Sequence, residues 1–132
     1  MKDANWSARG LAGILVASSS LLWAGQAMAG LVFICNSGLS LSEADVKAAM
    51  MGERPAVKVV DNGPLKNDML TYLGVTDKRY SSVWQIKSFR EGATIPAVKS
   101  SDSEVVDFVK NTSGGLGYVS SKPSDSGVHT CF

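Results

Sequence analysis

Cys35 and Cys131 are the only cysteines among the 132 residues. Joined to each other, they would close almost everything between Gly30 and the last residue into one covalent loop. Compartment decides whether such thiols pair, and the first residues bear on that. Residues 1–10 carry Lys2 and Arg9 against Asp3. Leu11–Trp23 is mostly apolar, and Ala27-Met28-Ala29 is a small-residue cut site before Gly30. That order of charged start, apolar middle and small-residue site is that of a secretory signal. Ala24 and Ala27 are alternative cut points. A membrane anchor is the competing reading, but Leu11–Trp23 is shorter than the roughly 20 residues a span needs. No cysteine follows the small residues to carry a lipid. The expectation is a signal peptide at 1–29, a single domain at 30–132 and a periplasmic or secreted protein with no membrane span after cleavage.

In an oxidising compartment an even pair of cysteines reads as a disulfide. Chain-entropy reasoning gives about 4–5 kcal/mol for closing a loop on the order of 100 residues. A redox or metal pair is the alternative. There is no CxxC, and Cys35, Cys131 and His129 together are one ligand short of a structural zinc site. No metal and no cofactor are expected. The chain has 13 Lys+Arg and 12 Asp+Glu; setting aside Lys2, Arg9 and Asp3 leaves the domain with no net charge. A basic groove for a nucleic acid is not expected on that balance.

Along the domain, Leu31-Val32-Phe33-Ile34-Cys35 is a continuous apolar run of the kind found in parallel sheets. Ser42 can cap a following helix, with Asp45 at the positive end of its dipole and Gly52 as its stop. Val57, Val59 and Val60 make a second strand. Pro64 then stands near the start of a helix whose Leu65, Met69, Tyr72 and Leu73 share a face. Thr76 caps a further helix carrying Tyr80, Val83 and Trp84. Arg90–Ser101, with Gly92 and Pro96, reads as a loop. Ser101-Asp102-Ser103-Glu104 is a capping-box pattern opening a helix with Val105, Val106, Phe108 and Val109. In the strand Leu116–Val119, Gly117 suggests close approach of another backbone. Val128–Cys131 is a last strand. The order β-α-β-α-α-α-β-β implies an α/β domain with a small mixed, mainly parallel sheet flanked by helices.

Three stretches in this order, LSEADVKAAMMGE (41–53), Trp84–Phe89 and SDSEVVDFVKNTSGGLGYV (101–119), resemble the phosphate-binding proteins of phosphate ABC transporters. The last stretch is the most specific. It pairs a helix reading EVVDFV with a Gly-rich turn and a GYV strand. The resemblance spans residues 31–120, and the matching pieces belong to one lobe of these two-lobed type II periplasmic binding proteins. It implies a one-lobe, non-enzymatic solute-binding-like protein, a small oxyanion such as phosphate as ligand, and an ABC permease or another envelope protein as partner. The family's phosphate loop has an Arg, an Asp and a Ser-Gly-Thr-like turn. This sequence instead reads Asp61-Asn62-Gly63-Pro64-Leu65-Lys66 there. That departure favours an alternative, an envelope interaction or structural module on the same fold that has lost its ligand.

Candidate anion donors lie where helices begin after strands, because free N–H groups and the helix dipole attract negative charge there. In open α/β sheets ligands sit beyond the carboxyl ends of strands. Those positions are Ser37, Ser40, Asn62, Gly63 and Lys66. Ordinary turn and cap residues would look the same. Glu53, Arg54, Arg79, Lys87 and Arg90 read as solvated surface, and Tyr80, Trp84 and Phe89 as core or interface packing. Glu104 and Asp107 sit one turn apart on a face that looks exposed. No catalytic constellation is recognised: His129 has no nucleophile at a suggestive spacing.

Overall fold

A computed structural model describes residues 30–132; the proposed signal segment lies outside the described residues. The elements are β1 (Val32–Asn36), α1 (Glu43–Met50), β2 (Lys58–Asn62), a 3-10 turn (Gly63–Leu65), α2 (Lys66–Leu73), α3 (Asp77–Glu91), β3 (Ala97–Lys99), α4 (Asp102–Asn111), β4 (Gly115–Val119) and β5 (Val128–Thr130). The strands form one mixed sheet in the order β3-β2-β4-β1-β5.

Strand direction departs from the sequence expectation at β1. β2 runs parallel to both β3 and β4, whereas β1 is antiparallel to β4 and to β5. Four strands therefore point one way, and β1, between two of them, points the other. Its continuous apolar run reflects helices on both faces, and burial carries no information about direction. Consequently β1-α1-β2 is not a parallel crossover unit, and the loop after β1 lies at the end of the sheet where β2 and β4 begin.

Alternation along each strand divides the core. Phe33, Cys35, Val59, Leu116 and Tyr118 pack on one face with Val46, Met50, Met69, Tyr80 and Trp84 from α1, α2 and α3. Ile34, Val60, Val119 and Val128 pack on the other with Val105 and Val109 of α4. These two valines are wholly buried and contribute roughly 1.5–3 kcal/mol each. Gly117 lies under α4. A Cβ there would stand 2.6 Å from Cγ1 of Val105 and 2.8 Å from Cγ1 of Val60. The close approach expected at this glycine is thus made by side chains rather than by backbone.

The helix ends follow local chemistry. Ser42 and Asp45 form a full capping box on α1, and Thr76 Oγ1 accepts from Arg79 N at 3.1 Å at the start of α3. Gly74 ends α2 in the left-handed region. At α4 the box is only half formed. Ser101 Oγ accepts from Glu104 N at 3.2 Å, but the Glu104 carboxylate turns back to Ser100 N and Oγ, each at 3.1 Å. The segment expected to be all loop contains β3. Three residues behind a proline, exposed at the sheet edge, give no alternating pattern to read.

Cys35 and Cys131 are bonded, with an S–S distance of 2.14 Å across a sequence separation of 96. The disulfide ties β1 to the residues after β5, where Cys131 N also donates to Phe33 O at 3.0 Å. Among the described residues no helix is long and apolar enough to cross a membrane.

Candidate functional site

The reversed direction of β1 separates the candidate donors. Ser37 and Ser40 follow β1 and lie at one end of the sheet; Asn62 ends β2, Gly63 and Lys66 follow it, and all three lie at the other end. They cannot form one site. Ser37 and Ser40 are exposed, and the turn that carries them is held by other contacts. Ser37 N donates to Gly127 O at 3.1 Å, Gly38 N donates to Asn36 Oδ1 at 3.0 Å, and His129 Nε2 lies 2.7 Å from Leu39 O. Asn36 Nδ2 donates to Val109 O at 2.9 Å and to Lys110 O at 3.2 Å. It thereby covers carbonyls in the last turn of α4 that helix geometry leaves without partners.

At the other end the carboxyl tips of β2, β3 and β4 converge on the start of α4. Asn62 is fully buried. Its Nδ2 donates to Asp102 Oδ1 at 2.8 Å and to Tyr118 O at 3.0 Å. Ser120, just past β4, donates its N–H to Asp102 Oδ2 at 2.9 Å and its hydroxyl to the same oxygen. Partial burial pushes the Asp102 carboxyl up, but the Ser120 hydroxyl, the Ser120 N–H and Asn62 outweigh it and hold the group below the usual carboxylate range. The protein's own carboxylate therefore takes up the Asn62 amide and both donors of Ser120 at these strand tips. Lys66 is also engaged. Its Nζ lies 3.2 Å from Asp77 Oδ1 and 5.5 Å from the Tyr80 ring centroid.

The chain matches no protein-family model, no curated protein and no solved structure.

Asp61 and Asn62 are neighbours on β2 and so point to opposite faces. The Asp61 carboxylate, 2 % exposed, accepts at Oδ1 from the hydroxyls of Tyr80 and Tyr118, both at 2.9 Å. Burial pushes this carboxyl above its usual range; the two tyrosine hydrogen bonds and the charge of Lys66 oppose it without cancelling it. Burial and the Asp61 charge push both tyrosines far up in turn, so they stay protonated donors. Asn62 Oδ1 is buried with no hydrogen-bond partner among the described residues.

Gly63 is exposed, and its backbone passes Lys99 O so closely that a Cβ would lie 3.3 Å away. Sequence reasoning missed Asp102 and Ser120. Asp102 stood inside a capping pattern that accounted for it, and Ser120 stood in a polar loop. The pairing of Ser120 with Asp102 spans 18 residues and that of Asn62 with Asp102 spans 40, beyond any local signal. Among the residues read as packing, Tyr80 and Trp84 are buried while Phe89 is 91 % exposed. Ile86, one turn before it on α3, is 52 % exposed. Glu104 and Asp107 are exposed as expected.

Proposed function

We propose that this protein is an exported, one-lobe binding-protein-like domain that acts as an interaction module in the bacterial envelope, its ancestral anion site closed by its own side chain. The observation that carries this reading is Asp102. Its carboxylate takes up Asn62 Nδ2 and both donors of Ser120 at the strand tips. A free dianion approaching these donors would meet a fixed negative charge. The disulfide supports export, and the mixed sheet with helices on both faces is compatible with one lobe of a type II periplasmic binding protein. The exposed pair Ile86 and Phe89 offers α3 as the face for an envelope partner.

Thermal unfolding with millimolar phosphate and sulfate separates this reading from an oxyanion receptor tied to an ABC permease. A receptor gains stability by mass action as its site fills; the interaction module shows no shift specific to either anion. A photocrosslinking residue at position 89 gives an adduct with an envelope protein, and one at exposed Asp68 on α2 gives none. A saturable phosphate shift in the unmodified protein would return the assignment to the receptor.

A further inference from the structure

β3 covers only part of β2. Its register runs from Val60↔Ala97 to Asn62↔Lys99, so Lys58 and Val59 extend past its first residue. Beside them the chain runs through Gly92–Pro96 instead of a strand. A groove of about 410 Å³ opens there, at the end of the sheet away from Asp102. Val57, Val59 and Trp84 reach it from one face of the sheet, Phe108 from the other, and Ile95 from the connecting segment. Trp84 is fixed in place, since its Nε1–H donates to Met50 O at 3.0 Å. A concave, mostly apolar site of a few hundred Å³ with a few polar groups suits a small ligand.

The charged side chains at the groove specify which kind. Arg54 is committed to Asp45 at 3.3 Å and Glu91 to Lys87 at 3.5 Å. Lys58 has no carboxylate partner among the described residues. Val57 and Val59 point to the α3 side, so Lys58, between them in sequence, points to the α4 side where Phe108 lies. An apolar slot with one uncommitted ammonium at its wall complements a molecule with a hydrocarbon body and one negative end. We infer that this groove is a second site, separate from the closed strand tips, for a small amphipathic carboxylate. The hydrocarbon lies against Trp84, Ile95 and Phe108, and the carboxylate faces Lys58.

Octanoate is the probe, with octanol as its uncharged counterpart, titrated into the oxidised full-length protein and followed by amide NMR. Saturable shifts centred on Val57, Val59, Trp84 and Phe108 are expected, with octanoate bound more tightly than octanol. Lys58→Gln, an exposed substitution, lowers octanoate affinity about fivefold and leaves octanol unchanged; an exposed ion pair is worth up to about 1 kcal/mol. Thr94→Trp places an indole in the groove from an exposed position and abolishes the shifts. The inference is overturned if octanoate produces no saturable shifts, if octanol binds as well as octanoate, or if a folded Thr94→Trp protein responds as the parent does. None of these outcomes depends on Asp102 or on the α3 face.

Discussion

Asp102→Ala is the substitution that tests how the strand-tip end is held. The carboxylate accepts three hydrogen bonds and sits in the first turn of α4. Hydrogen bonds to a charged group are worth about 1.5–3 kcal/mol when no other partner replaces it. Here Ser120 is exposed and water takes over its two donors, while Asn62 Nδ2 keeps Tyr118 O. The hydrogen-bond loss is therefore near the low end of one such bond. Removing a negative charge from a helix start adds about 0.3–1 kcal/mol. Together these give a cost of about 2 kcal/mol, or roughly 10 °C in thermal midpoint for a domain of this size. The same change leaves unfilled the space that the carboxylate held, with the Ser120 N–H, the Ser120 hydroxyl and Asn62 Nδ2 around it. Formate, and less tightly phosphate or sulfate, should then bind the variant. With a Kd of about 10 mM, 0.1 M formate restores about 1.4 kcal/mol. Differential scanning calorimetry of parent and variant at matched ionic strength, with chloride as control, reads both effects. The pH dependence supplies a sign check. The folded-state value of Asp102 lies below 3.8, so its stabilisation is full above the unfolded value and fades as pH falls through the folded one. The gap between parent and variant should close in acid. A variant as stable as its parent, or an anion response equal in both proteins, would refute the claim that Asp102 stands in for a ligand.

Other expectations follow from the core and the buried carboxylate. Replacing both Cys35 and Cys131 by Ser removes a link across 96 residues and costs about 4–5 kcal/mol on chain-entropy grounds; denaturant midpoints at unchanged m-value measure it, and a cost under 1 kcal/mol would contradict the loop argument. Gly117→Ala forces a methyl into contact with Val105 and Val60 and should destabilise by about 1–3 kcal/mol, while Gly92→Ala, with nothing within 4 Å but a φ of 71°, loses stability through backbone strain alone. Asp61→Asn keeps an oxygen to accept from Tyr80 and Tyr118 and removes the titration. The folded-state value of Asp61 is raised above 3.8, so its contribution is full below the unfolded value and is lost as pH rises through the folded one. The variant should gain on the parent as pH rises above the usual carboxylate range, and a difference that stays flat as pH rises would show that the burial penalty is not felt.

Short-range chemistry was legible in the residues themselves. Ser42, Thr76 and Ser101 lie at helix starts because their side chains satisfy N–H groups within three residues, and Gly52 and Gly74 stop helices for equally local reasons. The continuous apolar run around Ile34 marked a buried strand, the shorter runs around Val60 and Leu116 marked two more, and the first residues, read as a secretory signal, together with one pair of cysteines pointed to the disulfide. The direction of β1 was not legible. Its apolar run would be the same for either direction, and only pairing with β4 and β5 decides between them. That one choice placed Ser37 and Ser40 at the far end of the sheet from Asn62 and Lys66. It took the folded sheet to bring Asn62, Asp102 and Ser120 within hydrogen-bond distance, because contacts across tens of residues arise from how layers stack and leave no periodicity behind. β3 and the groove beside it likewise exist only because β2 outruns its short neighbour, a difference in strand length that appears once the two are paired.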